Sequence, residues 1–173
     1  MSGFDTIIEG VLLGGVYALF ALGLSLIFGI MRLVNLAHGD LILLAAYLVL
    51  NATAAFGLSL AAASLLVVIT MFVLGFVLQR LVLERVLGDD ILPPLLVTFG
   101  LSVVIQNGLL LGYGADSRRL QAGIFESSSV TLAPGLSVGL APLTALVTAV
   151  ALVALLQFIF YRTSLGRAFR ATS

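Results

Sequence analysis

The sequence predicts an all-α membrane protein, a polytopic helical bundle with about five hydrophobic segments. Hydrophobic residues make up 61% of the 173 residues and charged residues only 9%, whereas a soluble domain usually carries about 25% charged residues. The mean hydropathy is +1.25. The apolar residues also form long runs, and roughly 20 of them in a row suffice to cross a bilayer as a helix.

The five segments follow one another along the whole chain. Their predicted bounds are about Ile7 to Met31, Leu41 to Phe56, Leu58 to Leu83, Ile91 to Tyr113 and Leu140 to Tyr161. The second segment is short for a full span and follows a polar break. Pro93 and Pro94 are expected in the first turn of the fourth helix, where a missing N–H costs little. With no soluble domain between segments, residues 1–173 are predicted to form a single transmembrane domain.

A longer polar stretch, Gly114 to Gly139, separates the fourth and fifth segments. The alternation from Ser129 to Leu132 favours a short strand or hairpin there. Because functional contacts concentrate on loops, this stretch is expected to be the main external loop and to contact a partner protein.

The polar break after the first segment is the most informative feature. It places Arg32, Asn35, His38 and Asp40 within nine residues, and such groups are costly at membrane depth and tend to be functional there. The break is either a loop at the membrane surface or a discontinuous helix on a translocation path. We expect Gly39 to give backbone freedom and Asp40 to cap the second helix. We assign His38 to orienting the break.

Several chemistries are excluded or weakly supported. One histidine beside one carboxylate is too small a set for a specific metal site, and a proton relay would need further acids or histidines at depth. Cysteine is absent, so neither a disulfide framework nor a cysteine metal site is possible. The net charge is zero, which argues against nucleic acid as a partner. No catalytic residues, metal or cofactor are predicted. No nucleotide-binding loop occurs, so active transport would draw energy from another chain or an ion gradient.

Two further groups of residues are candidates for helix contacts. Gln106 and Asn107 lie in the fourth segment, where amides either hydrogen-bond to a neighbouring helix or line a pathway. Small residues at G-x-x-x-G spacing let helices approach closely in lipid. The glycines predicted to pack in this way form two pairs, Gly10 with Gly14 and Gly108 with Gly112.

Arginine placement predicts the orientation, because cytoplasmic loops are enriched in positive charge. With the C-terminal end in the cytoplasm and the N-terminus outside, six of the eight arginines lie inside; Arg118 and Arg119 are the exceptions. The polar break then faces inward, and the stretch from Gly114 to Gly139 lies outside.

Four motifs together resemble one family. The run from Gly14 to Asp40 closely resembles the opening of the branched-chain amino acid ABC transporter permeases of the LivH type. Similar matches follow at Ala45-Ala46-Tyr47, Leu96 to Ser102, and Thr163 to Ala171. The resemblance covers nearly the whole chain in the right order, and the motif from Asn35 to Asp40 is its most specific part.

The resemblance implies a permease subunit in the bacterial inner membrane. Such subunits pair with a second permease, two cytoplasmic ATP-binding subunits and a periplasmic substrate-binding protein. Family members are considerably longer, so residues 1–173 are expected to be the N-terminal part of a longer permease. Two alternatives stay open: a self-contained channel or ion-coupled carrier that uses the break from Asn35 to Asp40, and a structural membrane subunit without a pathway.

Overall fold

The computed structural model of the protein describes residues 3–88, 90–116, 118, 128–133 and 136–162. The chain divides into two compact units, residues 1–30 with 121–173, and residues 31–120. The described residues include five helices long and apolar enough to cross a membrane. The prediction of an all-α polytopic bundle is therefore confirmed, while the single-domain assignment stays a prediction.

The helix bounds lie within a few residues of those predicted from the sequence. The helices are α1 (Gly3–Met31), α2 (His38–Phe56), α3 (Leu60–Leu81), α4 (Leu92–Tyr113) and α5 (Leu140–Arg162). A short 3₁₀ helix, Leu83–Arg85, follows α3. With 19 residues, α2 is the shortest of the five helices, as predicted.

The turn between α2 and α3 is closed at both ends. Gly57 ends α2 in the left-handed conformation, with φ 60° and ψ 24°, which is the usual way for a glycine to stop a helix. The Oγ atom of Ser59 accepts the N–H of Ala62 at 3.4 Å and so caps α3. Three residues, 57–59, therefore suffice to connect two neighbouring helices that contact each other.

The start of α4 also follows from local chemistry. Pro93 and Pro94 lie in its first turn, as predicted. The Oδ1 atom of Asp90 accepts the N–H of Leu92 at 3.1 Å, which satisfies one of the amide groups left open at a helix start.

The predicted hairpin is present after α4. Strand β1 (Ser129–Ala133) pairs antiparallel with β2 (Leu136–Gly139), and Ser129 lies opposite Gly139. The hairpin leads directly into α5, where the N–H of Leu140 donates to the carbonyl of Ser128 at 3.1 Å. Other parts of the predicted loop, residues 117, 119–127, 134 and 135, lie outside the described residues, as does the C-terminal motif from Thr163 to Ala171.

Little of each helix is buried within the chain. In the most apolar 18-residue window of each helix, between 6% and 17% of the residues are buried. Because apolar surface of this extent is unfavourable in water, it is suited to contact lipid or further helices. Arg80 and Glu84 form a 3.0 Å ion pair, which at an exposed position contributes little to stability.

In the unit formed by residues 1–30 and 121–173, α1 and α5 meet closely at Gly15. A Cβ atom added to Gly15 would lie 2.8 Å from the Cα of Leu146, whereas one added to Gly10 or Gly14 would meet nothing within 4 Å. Successive helical residues are about 100° apart around the axis. The face that carries Gly10 and Gly14 is therefore turned away from the closest contact.

Within the described residues Gly10 and Gly14 make no close helix contact, so the G-x-x-x-G packing stays a prediction. Gly108 and Gly112 in α4 likewise have nothing within 4 Å of an added Cβ. The close contact is made instead by a single glycine that belongs to neither pair.

Candidate functional site

The polar break separates α1 from α2 as a short non-helical segment. Helical structure stops at Met31 and resumes at His38. Side chains in between alternate in burial: the buried ones are Leu33, Asn35 and Ala37, and the exposed ones are Arg32, Val34 and Leu36. Residues 36 and 37 form a turn, and Ala37 has φ −79° and ψ 1°, so the segment is irregular despite this alternation. Arg32 has a φ of 50° and is the one non-glycine residue with positive φ in the part of the chain that the structure describes.

The predicted roles of Gly39 and Asp40 in this break are wrong. His38, Gly39 and Asp40 are the first three residues of α2, and the position before the helix is occupied by Ala37, which offers no capping side chain. Gly39 is helical, so its conformational freedom is not used there.

Asn35 and Arg32 instead determine the local conformation of the break. The Oδ1 atom of Asn35 accepts the N–H of Ala37 at 3.0 Å, which is a local turn that asparagine favours. Arg32 supplies the left-handed conformation at which the chain leaves α1. The side chain of Asn35 is 8% exposed, so this hydrogen bond forms away from solvent.

Helix α2 starts level with the middle of α4. Val34 lies beside Thr98, Asp40 beside Ser102 and Gln106, so the break and α2 run parallel to α4. Counted from Leu92, Ser102 is the eleventh of the 22 residues of α4. At 1.5 Å per residue α4 is roughly 33 Å long. The break therefore lies beside the first half of α4, and the length of α4 matches the thickness of a bilayer core.

Three polar side chains meet at this level, and we call them the carboxylate cluster: Asp40, Ser102 and Gln106. The Ser102 hydroxyl donates to Asp40 Oδ2 at 2.5 Å, and Gln106 Nε2 donates to Asp40 Oδ1 at 3.0 Å. Gln106 Nε2 is also 3.2 Å from Ser102 Oγ. Ser102 is buried, Asp40 is half-buried and Gln106 is exposed, so the cluster is open on the side of Gln106.

The charge of Asp40 has no cation beside it among the described residues. The ion pair found in the described ranges, with N···O within 4.0 Å, joins Arg80 to Glu84 and does not involve Asp40. The two partners of Asp40 are neutral donors. A carboxylate offers about four lone-pair sites, so about half of its accepting capacity stays open.

A buried hydroxyl lies below the carboxylate cluster, towards the N-terminus of α4. The Oγ1 atom of Thr98 is 3.5 Å from the carbonyl oxygen of Val34 and 3.0 Å from that of Leu95. Thr98 is fully buried. Its hydroxyl carries one proton, so it donates either to the carbonyl of Leu95 in its own helix or to that of Val34 in the non-helical segment.

A second group of contacts joins α2 to the C-terminal end of α4. Asn51 Nδ2 donates to the Tyr113 hydroxyl, and the rings of Tyr47 and Tyr113 lie 4.5 Å apart. The Arg118 guanidinium lies 5.4 Å from the centre of the Tyr113 ring, within the range of a cation–π interaction. Together with Thr98 and the carboxylate cluster, these residues form a polar seam along the α2–α4 interface.

The two amides predicted in α4 have different environments. Gln106 donates a hydrogen bond to Asp40 of α2, which is one of the two roles considered for it. Asn107 Nδ2 donates to the carbonyl of Val103 in its own helix at 2.8 Å, and no interhelical bond of Asn107 is found in the described residues.

Sequence reasoning missed several seam residues: Thr98, Ser102, Tyr47, Asn51 and Tyr113. A usable signal was present for three of the polar side chains of α4. Thr98, Ser102 and Gln106 recur at every fourth residue, which places them on one face of a helix.

The arrangement is suited to binding a polar or charged group. Within the part of the chain that the structure describes, no three His, Cys, Asp or Glu side chains lie together as metal ligands would. The carboxylate cluster offers one negative charge held by two neutral donors, which can attract a cationic or strongly donating group.

Comparison with known proteins identifies the family. A family profile described as the permease component of a branched-chain amino acid transport system matches residues 6–173. No solved structure matches the chain.

Curated relatives carry matching names. The chain is 29% identical over 138 residues to the high-affinity branched-chain amino acid transport system permease protein BraD of Pseudomonas aeruginosa, covering 75% of this chain and 42% of that protein. It is 28% identical to the corresponding LivH protein of Salmonella typhimurium and 29% identical to that of Escherichia coli K12, in each case covering 94% of this chain and 56% of the relative. The chain thus spans about half the length of these relatives.

Proposed function

The chain belongs to the family of permease components of branched-chain amino acid transport systems, and from that premise we propose that it serves an ABC importer. In this proposal it is a multi-pass subunit of the bacterial inner membrane that moves branched-chain or similar amino acids and is not an enzyme. The energy comes from ATP hydrolysed by separate subunits.

One observation carries the proposal of a pathway: the non-helical segment 32–37 lies level with the first half of α4. In a bilayer, backbone outside a helix is tolerated where it is buried in protein or lines a water-filled cavity. Many transporters build their sites from such interrupted helices near the midplane. We assign Asn35, His38, Gly39 and Asp40 to this pathway, with the seam residues of α4 opposite them.

The proposed assembly contains a second permease subunit, two cytoplasmic ATP-binding subunits and a periplasmic binding protein. The stretch from Gly114 to Gly139 is proposed to contact the binding protein, because it is the longest polar stretch between helices. Deleting Glu126 to Ser129 should then weaken stimulation by the binding protein while membrane insertion continues.

The proposed orientation has the N-terminus in the periplasm and the C-terminal end in the cytoplasm. Single cysteines at Ser2 and Ser173, in a chain that has no other cysteine, make this measurable with an impermeant thiol reagent on spheroplasts. We expect labelling at Ser2. Labelling at Ser173 instead would reverse the orientation, although it would leave the transport proposal intact.

The transport proposal is tested by reconstituting the full-length protein with its partner subunits in proteoliposomes. We expect leucine uptake that requires ATP on the cytoplasmic side and binding protein on the other. Vesicles with an ATP-binding subunit that cannot hydrolyse ATP serve as the control. Uptake driven by a pH gradient without ATP-binding subunits would identify a carrier instead, and assembly without flux under either condition would identify a structural subunit.

A further inference from the structure

We propose that Asp40 recognises the α-ammonium group of the transported amino acid at the level of the middle of α4. Ser102 and Gln106 are positioning residues that hold the carboxylate in place. The inference rests on the proposed function, because it names the cargo group that the pathway binds.

The charge of Asp40 needs a complement. A carboxylate at membrane depth is expensive unless it is paired or lines a polar cavity. Its partners among the described residues, Ser102 and Gln106, donate hydrogen bonds at 2.5 and 3.0 Å without carrying charge. The N-terminus of α2 contributes roughly half a positive charge, which offsets only part of the carboxylate charge. A ligand cation would supply the rest.

The geometry leaves room for an ammonium group. Each carboxylate oxygen already accepts one hydrogen bond and has one further lone pair. Asp40 is half-buried and Gln106 is exposed, so this side of the cluster can be reached. An ammonium group carries three donors and can bond to both open sites.

Other cations fit the cluster less well. Calcium takes six to eight oxygen ligands, whereas the cluster holds one carboxylate, and no group of three acidic or histidine side chains occurs in the described residues. A branched-chain amino acid combines an ammonium group with an aliphatic side chain. The exposed apolar side chains of the break, Val34 and Leu36, are suited to contact such an aliphatic group.

Two leucine analogues test recognition of the ammonium group and of the carboxylate separately. One is 3-methylbutylamine, which keeps the ammonium group and lacks the carboxylate; the other is 4-methylpentanoate, which lacks the ammonium group. Each competes with radiolabelled leucine for the purified permease–ATPase complex without binding protein, so that the selectivity measured is that of the permease. The variants are Asp40→Asn, Ser102→Ala and, as a matched removal of an exposed carboxylate, Glu84→Gln.

For the unmodified complex we expect competition by the amine and much weaker competition by the acid. Asp40→Asn should lower the apparent affinity for the amine by roughly tenfold or more, as expected when one partner of a buried charge pair is removed. The apparent affinity for the acid should not fall. Ser102→Ala should also lower the apparent affinity for the amine, by a smaller factor. Glu84→Gln should leave the apparent affinities for both analogues unchanged.

A loss of affinity for the amine alone would identify Asp40 as a recognition residue. A residue that only supports the structure would alter the affinities for both analogues equally. If an assembled Asp40→Asn complex shows the same change in affinity for the amine and the acid, or no change, the inference is overturned. The transport proposal would still stand. If Asp40→Asn prevents assembly, an unchanged amine affinity in Ser102→Ala overturns it. A complete unmodified complex that neither binds nor transports leucine would contradict the proposed function itself.

Discussion

Two helix contacts in this protein are built in opposite ways. The α1–α5 contact brings backbones together at Gly15, where an added Cβ would lie 2.8 Å from the Cα of Leu146. The α2–α4 contact carries a row of hydrogen bonds, from Thr98 through the carboxylate cluster to Tyr113. Both styles of packing are known for helices in lipid.

The difference indicates what each contact is for. Close packing of small residues gains dispersion energy without exposing polar groups, so the α1–α5 contact is sufficiently explained as structure. A carboxylate is not needed to hold two helices together, and interhelical hydrogen bonds in membranes contribute only about 0.6 kcal/mol on average. The α2–α4 contact therefore carries more polarity than stability requires, which is why we place the pathway there.

The largest expected effect is on the apolar contact. Gly15→Ala inserts a Cβ against backbone that cannot rotate away, so we expect a loss of about 1–3 kcal/mol in unfolding free energy. Gly14→Ala is the matched control, because its Cβ meets nothing within 4 Å. Unfolding of the purified full-length protein in detergent measures both variants. Equal stability of the two would show that α1 and α5 do not meet at Gly15.

A smaller effect is expected at the buried hydroxyl of the seam. Thr98→Val keeps the approximate shape but removes the buried hydroxyl that faces the carbonyls of Leu95 and Val34, and we expect a loss of about 1 kcal/mol in unfolding free energy. Thr70→Val is the control, since Thr70 is exposed and bonds only to Leu66 in its own helix. The same unfolding assay applies. A Thr98→Val protein as stable as the Thr70→Val protein would mean that the non-helical segment 32–37 does not depend on this contact.

The smallest effect is expected at the C-terminal end of α4. Tyr113→Phe keeps the ring contact with Tyr47 and loses the hydrogen bond to Asn51, which should cost about 0.6 kcal/mol. Tyr17→Phe is the control, because Tyr17 is 62% exposed. A double substitution with Asn51→Ala tests the pairing: once Asn51 is gone, Tyr113→Phe should have little further effect. Additive losses would contradict a direct interaction.

The helices were predictable because each depends on its own sequence. Long apolar runs, the prolines of α4 and the serine before α3 are local signals, and the alternating residues after Ser128 indicated the hairpin. The break was also visible, since four polar residues interrupt an otherwise apolar sequence.

The site was less predictable because it depends on which helices are neighbours. Asp40 is a good helix cap by residue type, but its position in α2 is fixed by where the helix begins, at His38, and its partners are more than 60 residues away in the chain. Gly14 and Gly15 differ by one position in sequence, and only the placement of α5 decides which of them is in contact. The every-fourth spacing of Thr98, Ser102 and Gln106 was the one available hint.

The three-residue turn between α2 and α3 has a consequence for biogenesis. The most apolar 18-residue window of α2 has a mean hydropathy of 1.7, the lowest among the five helices, whereas the corresponding window of Leu60–Arg85, which contains α3, reaches 2.6, the highest. Charged residues weaken membrane insertion by the translocon, and α2 begins with His38 and Asp40. Because the turn is capped at both ends, α2 and α3 can leave the translocon as one hairpin. The more apolar α3 would then favour insertion of α2, with its polar N-terminal end, into the bilayer. This would occur before α4, which holds the partners of Asp40, has been synthesised.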